Sequence, residues 1–308
     1  MPIFRPEVTT LFQYLKTAAF AEVYKWWPPP FFLLTLSLVQ LAFFIIHAVH
    51  LSQEHGLDIS WGEPAPRCSM LIYNPYRRWE AWRFTSYSLV HAGIGHITLN
   101  LIMQLLVGLP LEMSHGSLRI GVVYSAGVLA GSLVTSAFDP NMYLAGASSG
   151  VYSLITTHLA SLILNWKEDV MIIRQSFRQI NTRRAFSTTV YRVMRLLSVV
   201  IYAACDIGYA VYARHMRGPG TVGNLAHLAG AIAGLFVGLS VLRNRKEETW
   251  EIFLRLISSL FILSLATVAV VWNIKGNEIY QKYYGTQEPY FLPTDTSLVN
   301  NCSYLLGI

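Results

Sequence analysis

With 308 residues, 53% of them hydrophobic and only 13% charged, the chain is too apolar for a soluble domain, in which about a quarter of residues carry charge. The formal charge of +6 therefore reports orientation in a bilayer rather than a nucleic-acid partner. Cys68, Cys205 and Cys302 form no CxxC pair, which removes the usual zinc and redox motifs.

The N-terminal stretch lacks the clean apolar core of a signal peptide and is too acidic for a mitochondrial presequence. Residues 6–26 suit an amphipathic helix on the membrane surface, ended by Trp26-Trp27 and Pro28-Pro29-Pro30. Seven apolar runs follow, at residues 31–51, 89–112, 118–138, 144–165, 196–213, 222–242 and 252–272. They predict an all-α polytopic membrane protein. No internal repeat is visible, which argues against a transporter built from inverted repeats. The expected organisation is a cytosolic segment at 1–30 and a six-span core at 31–242, with an outer loop at 52–88 and a basic loop at 166–195. A linker and seventh span at 243–272 and an outer tail at 273–308 complete it.

Loop charge sets the orientation. Fourteen Lys and Arg fall on the side of the N-terminus and eight on the other, so the N-terminus is expected in the cytosol and the tail in the lumen or outside. Asn301-Cys302-Ser303 is a glycosylation sequon on that permissive side. Cys68 and Cys302 share it too, either as a disulfide or as two free thiols. The outer loop carries Trp61, Tyr73, Tyr76, Trp79, Trp82 and Tyr87. It is either an ordinary lumenal loop or one lying in the interfacial zone that tryptophan and tyrosine prefer.

Polar groups inside a bilayer are costly and face a cavity or a partner. The second, fourth and sixth runs all enter from the outer side. His96 and Asn100 share a face of the second, Ser148 and Tyr152 share a face of the fourth, and His227 lies in the sixth. Ser148 and His227 are expected about 6–8 Å in, His96 about 10 Å and Asn100 about 16 Å. The parts fit acyl transfer: a serine nucleophile, a histidine base, and donors from His96, Asn100 and the Ser148 N–H for an oxyanion. Gly146-Ala147-Ser148-Ser149-Gly150 reads as G-x-S-x-G, but its flanks look like one continuous membrane helix rather than a strand–turn–helix elbow. Gly230, Gly234 and Gly238 make a small-residue stripe on the His227 side of the sixth run, suited to close helix approach. Tyr152, one turn below Ser148, is placed to support the imidazole. His91, five residues before His96, is poorly spaced for a metal pair, and no Cys or carboxylate joins them. Asp206 is the carboxylate nearest mid-membrane, open to reading as a third triad member, a proton relay or a structural hydrogen bond. His158 reads as structural, and Glu112 with His115-Gly116 as a helix end tied to its loop.

The set Trp82-Arg83, His91, His96-x-x-x-Asn100, Leu109-Pro110-Leu111-Glu112-x-x-His115-Gly116, Gly146-Ala147-Ser148-x-Gly150-Val151-Tyr152 and Ala226-His227-x-x-Gly230-x-x-x-Gly234 spans about residues 67–242. In order and spacing it resembles the rhomboid intramembrane serine proteases. The resemblance implies a Ser148–His227 dyad without an acid, with His96 and Asn100 helping to form the oxyanion hole. It further implies that Gly146 shapes the start of the nucleophile helix, that Tyr152 packs on the catalytic histidine, and that Trp82 and Arg83 belong to a scaffolding loop. A seventh span after a six-helix core resembles the animal secretory-pathway branch. Substrates would then be single-pass membrane proteins cut near the outer end of their transmembrane segment, such as growth-factor-type precursors. No metal, other cofactor or nucleic acid is implied. One departure stands out: many members have glycine after the nucleophile, and this chain has Ser149. The alternative is a non-proteolytic rhomboid-like protein that binds transmembrane helices and controls their traffic.

Overall fold

In a bilayer every backbone N–H and C=O must be satisfied within the protein, which leaves an apolar chain little choice but helices. The computed structural model describes residues 29–55, 59–61, 69–139, 142–165, 223–242 and 249–284, with single helical positions at 197, 200, 201, 204 and 208. The expected surface helix at 6–26, the basic loop at 166–195, Cys68, Cys205, Asp206, Asn301 and Cys302 lie outside the described residues.

The helices are α1 (Phe31–His55), the short α2 (Arg83–Ser86), α3 (Gly93–His115), α4 (Ser117–Phe138), α5 (Ser148–Leu164), α6 (Asn224–Val241) and α7 (Thr249–Tyr284). Five of them are long and apolar enough to cross a bilayer, and α5 is a shorter apolar helix. The chain is an all-α polytopic membrane protein. Helix α4 is the most buried span and α7 the least. Helix α6 packs on α5 and α4, α7 on α6 and α4, and α1 on α3 and α4.

Two polar devices hold the ends. Glu112, buried near the end of α3, accepts the backbone N–H of Phe32 at 2.7 Å and of Leu33 at 3.0 Å, and the Ser117 hydroxyl at 2.5 Å. One carboxylate thus satisfies two backbone donors at the start of α1, which that helix cannot satisfy internally, and a side-chain hydroxyl at the start of α4. Gly116, at φ +91°, makes the turn between α3 and α4. Glu112→Ala is expected to destabilise the folded protein by about 3 kcal/mol, because buried donors lose a charged acceptor; thermal unfolding of the purified protein in detergent measures it, and an unchanged Tm would refute it. On α7, Asn273 accepts a hydrogen bond from Ser136 and donates to the Leu133 carbonyl at 3.2 Å, fastening this helix to the end of α4.

Close approach of α6 to its neighbours rests on glycine. A Cβ on Gly230 would collide with the Ser149 carbonyl, and one on Gly234 with the Ser153 carbonyl. The expected small-residue stripe therefore lies flat on the α5 backbone. Thr156 and Thr157 add hydroxyl bonds to the carbonyls of Ala231 and Gly234, at 2.7 and 3.1 Å.

One expectation needs correction. The run at 144–165 is not a continuous helix. Leu144 forms an antiparallel bridge with Tyr73, with N···O distances of 3.0 and 3.2 Å, and Gly146 turns at φ +118° before α5 begins at Ser148. The serine pair thus opens a helix after a bridged residue and a sharp turn. Hydropathy misses this because Leu144, Ala145 and Ala147 are as apolar as the helix they precede.

Candidate active site

The first turns of α3, α5 and α6 meet at one end of the molecule. His96 is the fourth residue of α3, Ser148 the first of α5 and His227 the fourth of α6. The Ser148 Oγ lies 2.7 Å from His227 Nε2. The Tyr152 ring stacks on the His227 imidazole with centroids 4.8 Å apart and planes 19° apart. Ser148, His227 and His96 are half-buried, so the pair sits at the mouth of the helices rather than sealed in the core. For a serine to donate to Nε2, the imidazole must be neutral with its proton on Nδ1.

Gly146 is required by two independent constraints. Its φ of +118° is one that side chains rarely adopt, and a Cβ there would meet His96 Cε1 at 2.6 Å and Nε2 at 2.7 Å. The Nε2 edge of His96 therefore faces the turn just ahead of Ser148. Ala92 N–H donates to His96 Nδ1 at 3.4 Å, which leaves the ring proton on Nε2 as a donor toward that turn. Asn100, buried, donates from Nδ2 to the His96 carbonyl at 2.8 Å. An amide nitrogen has two protons, so this bond orients the group and leaves a second donor.

The turn itself is held from behind. Gly146 N–H donates to the Tyr87 carbonyl at 3.0 Å, and Ala147 N–H to His91 Nε2 at 3.3 Å. His91 is buried and stands edge-on to His96, with ring centroids 5.2 Å apart. Buried Arg83 donates to the carbonyls of Ser69 and Ile72, at 3.0 and 2.9 Å, and pairs with Glu80. Trp82 Nε1 donates to the Met70 carbonyl at 3.2 Å, while half of Trp82 remains exposed. These bonds fix the strip that presents Tyr73 to Leu144. Trp82 and Arg83 thus connect to the serine turn through the bridge. His158 bonds the Val107 carbonyl at 2.8 Å, the structural place read for it. Reasoning from sequence missed Tyr87, Tyr73 and the use made of His91; only the last left a signal, as a histidine near another in an apolar run.

A serine hydroxyl set on a histidine nitrogen, at the head of three membrane helices, defines a class: polytopic membrane proteins with a serine–histidine pair. Comparison with known proteins names the family. The model of the rhomboid domain matches residues 78–244, more than half of the chain. The chain belongs to the rhomboid family and has its all-α membrane fold. It is 41% identical to mouse rhomboid-related protein 2 over 216 residues, which is 70% of this chain and 65% of that protein. It is 36% identical to rhomboid-related protein 1 of Caenorhabditis elegans over 277 residues, covering 88% of this chain and 71% of that one. A third relative, inactive rhomboid-related protein 2 of the same worm, is 32% identical over 274 residues, 87% and 72% of the two chains. The chain spans under two thirds of the mouse relative's length.

Proposed function

We propose that the protein is an intramembrane serine endopeptidase that cuts single-pass membrane proteins near the outer end of their transmembrane segment. The observation that carries this reading is the 2.7 Å contact between Ser148 Oγ and His227 Nε2, with the imidazole stacked on Tyr152. Ser148 attacks the scissile carbonyl while His227 takes its proton and passes it to the leaving amine; the C–N bond breaks and an acyl-enzyme remains. Water, deprotonated by His227, then attacks the ester and releases Ser148. The His96 Nε2–H, the second Asn100 N–H and the Ser148 N–H are the donors for the oxyanion. No metal or other cofactor enters this sequence of steps.

The excess of Lys and Arg on the N-terminal side supports a cytosolic N-terminus, with the site facing the lumen or cell exterior in a membrane of the secretory pathway. Shed growth-factor-type ligand precursors are the substrate class that follows. The similarity to a relative named inactive favours a second reading, a helix-binding protein without protease activity. One experiment separates them: wild type and Ser148→Ala, equally expressed, each with a panel of tagged single-pass substrates. Release of the outer fragment by wild type alone supports the protease; equal release by both refutes the assignment of Ser148, and fragment-free capture of substrates by both supports the binder.

A further inference from the structure

The chain departs from the usual family pattern at Ser149, and the structure gives that residue a specific place. Neighbouring residues on a helix point about 100° apart, so Ser149 turns away from His227 and into the interior. It is 1% exposed. Its Oγ lies 2.6 Å from the hydroxyl of Tyr87, itself 2% exposed. The Tyr87 hydroxyl also lies 2.7 Å from the Val128 carbonyl on α4. A carbonyl only accepts, so the one phenolic proton goes to Val128, and Ser149 must donate to the Tyr87 oxygen. The direction of the whole chain of bonds is thereby fixed. Burial raises the pKa of the Tyr87 hydroxyl, which keeps that proton in place.

The surroundings are shaped to the pair. A Cβ on Gly131 of α4 would meet Ser149 Cβ at 2.8 Å and the Tyr87 hydroxyl at 2.9 Å, so glycine alone leaves the space. Tyr87 also accepts the Gly146 N–H on its backbone carbonyl at 3.0 Å. One residue therefore grips the head of α5 on both sides of Ser148, by its main chain two residues before and by its side chain one residue after. With glycine after the nucleophile the second grip would not exist.

We propose that Ser149 is a positioning residue: its hydroxyl, through Tyr87, clamps the first turn of α5 to α4 and so fixes the direction in which Ser148 meets His227. This inference rests on Ser148 and His227 being the reactive pair. The test is fluorophosphonate labelling of the full chain in detergent, with the maximal inactivation rate and the half-saturating probe concentration determined separately, both per folded molecule. Ser149→Ala is expected to lower the maximal rate about tenfold, the effect of one buried hydrogen bond, with the half-saturating concentration unchanged. Ser149→Cys, similar in shape and a weak donor, should fall likewise, which covers the case of an alanine variant that folds poorly. In a Tyr87→Phe background Ser149→Ala should add nothing further, because both changes remove the same bond. A maximal rate equal to wild type in the Ser149 variants, or a full tenfold loss on top of Tyr87→Phe, overturns the clamp while leaving the reactive pair intact. Labelling of Ser148→Ala as fast as wild type overturns the reactive pair, and the clamp with it.

Discussion

Replacing His227 with alanine is expected to lower the rate of substrate cleavage by at least about a thousandfold, and Ser148→Ala to do the same. The two groups act as one unit. A hydroxyl without its base is a poor nucleophile, and a base without the hydroxyl has only water to activate. The Ser148–His227 double variant should therefore be no slower than either single variant. Single-turnover release of the outer fragment in proteoliposomes measures this, with folded protein counted in each preparation. A double variant slower by the product of the two single effects would mean that the residues contribute independently, contrary to a dyad. A His227→Ala variant keeping more than about a tenth of wild-type rate would assign the base elsewhere.

The architecture orients both members of the pair that the proposed reaction uses. The histidine is oriented by a stacked Tyr152 ring and by a helix locked to its neighbour through glycine. The serine is oriented by a turn whose successive N–H groups are claimed by Tyr87 and His91. Precision comes from the backbone on both sides, so little depends on the flexible part of either side chain. The proposed reaction also needs water for its second half, and Ser148 and His227 are each only half-buried, in the first turns of their helices.

Much of this was legible in the sequence because a bilayer enforces simple rules. Six of the apolar runs coincide with helices, and the polar residues that broke them, His96, Asn100, Ser148 and His227, are the ones gathered at or beside the site. The stripe of Gly230, Gly234 and Gly238 announced close packing, since no other side chain leaves such room. What was illegible depends on contacts between distant segments. Tyr87 lies 62 residues from Ser149 and reads, in a loop crowded with aromatics, as one more interfacial ring. The bridge between Tyr73 and Leu144 leaves no trace in hydropathy, and neither does the positive φ of Gly146. Hydropathy therefore puts the start of α5 at 144, four residues ahead of Ser148, where the helix begins.

Gly230→Ala is the substitution in which the smallest chemical change should have the largest structural effect. The added methyl would overlap the Ser149 carbonyl oxygen, with the carbonyl carbon at 2.9 Å and Cα at 3.0 Å. All three are backbone atoms in the first turn of α5, so no rotamer change can make room, and α6 must move outward. Overpacking of this kind costs about 1–3 kcal/mol. His227 stands three residues before Gly230 on the same helix, so it moves too. A displacement of about 1 Å would break the 2.7 Å contact with Ser148 and is expected to slow cleavage about a hundredfold per folded molecule, although every group of the proposed site is still present. Gly121→Ala on α4 is the control: its Cβ would meet the Phe32 ring at 3.5 Å, an ordinary contact, and alanine favours the helix by about 0.5–1 kcal/mol. Thermal unfolding and single-turnover cleavage of the two variants should then diverge, Gly230→Ala losing on both measures and Gly121→Ala on neither. Wild-type stability and rate in Gly230→Ala would show that α6 does not lie on the α5 backbone at this distance, and the geometric basis for pairing His227 with Ser148 would fall with it.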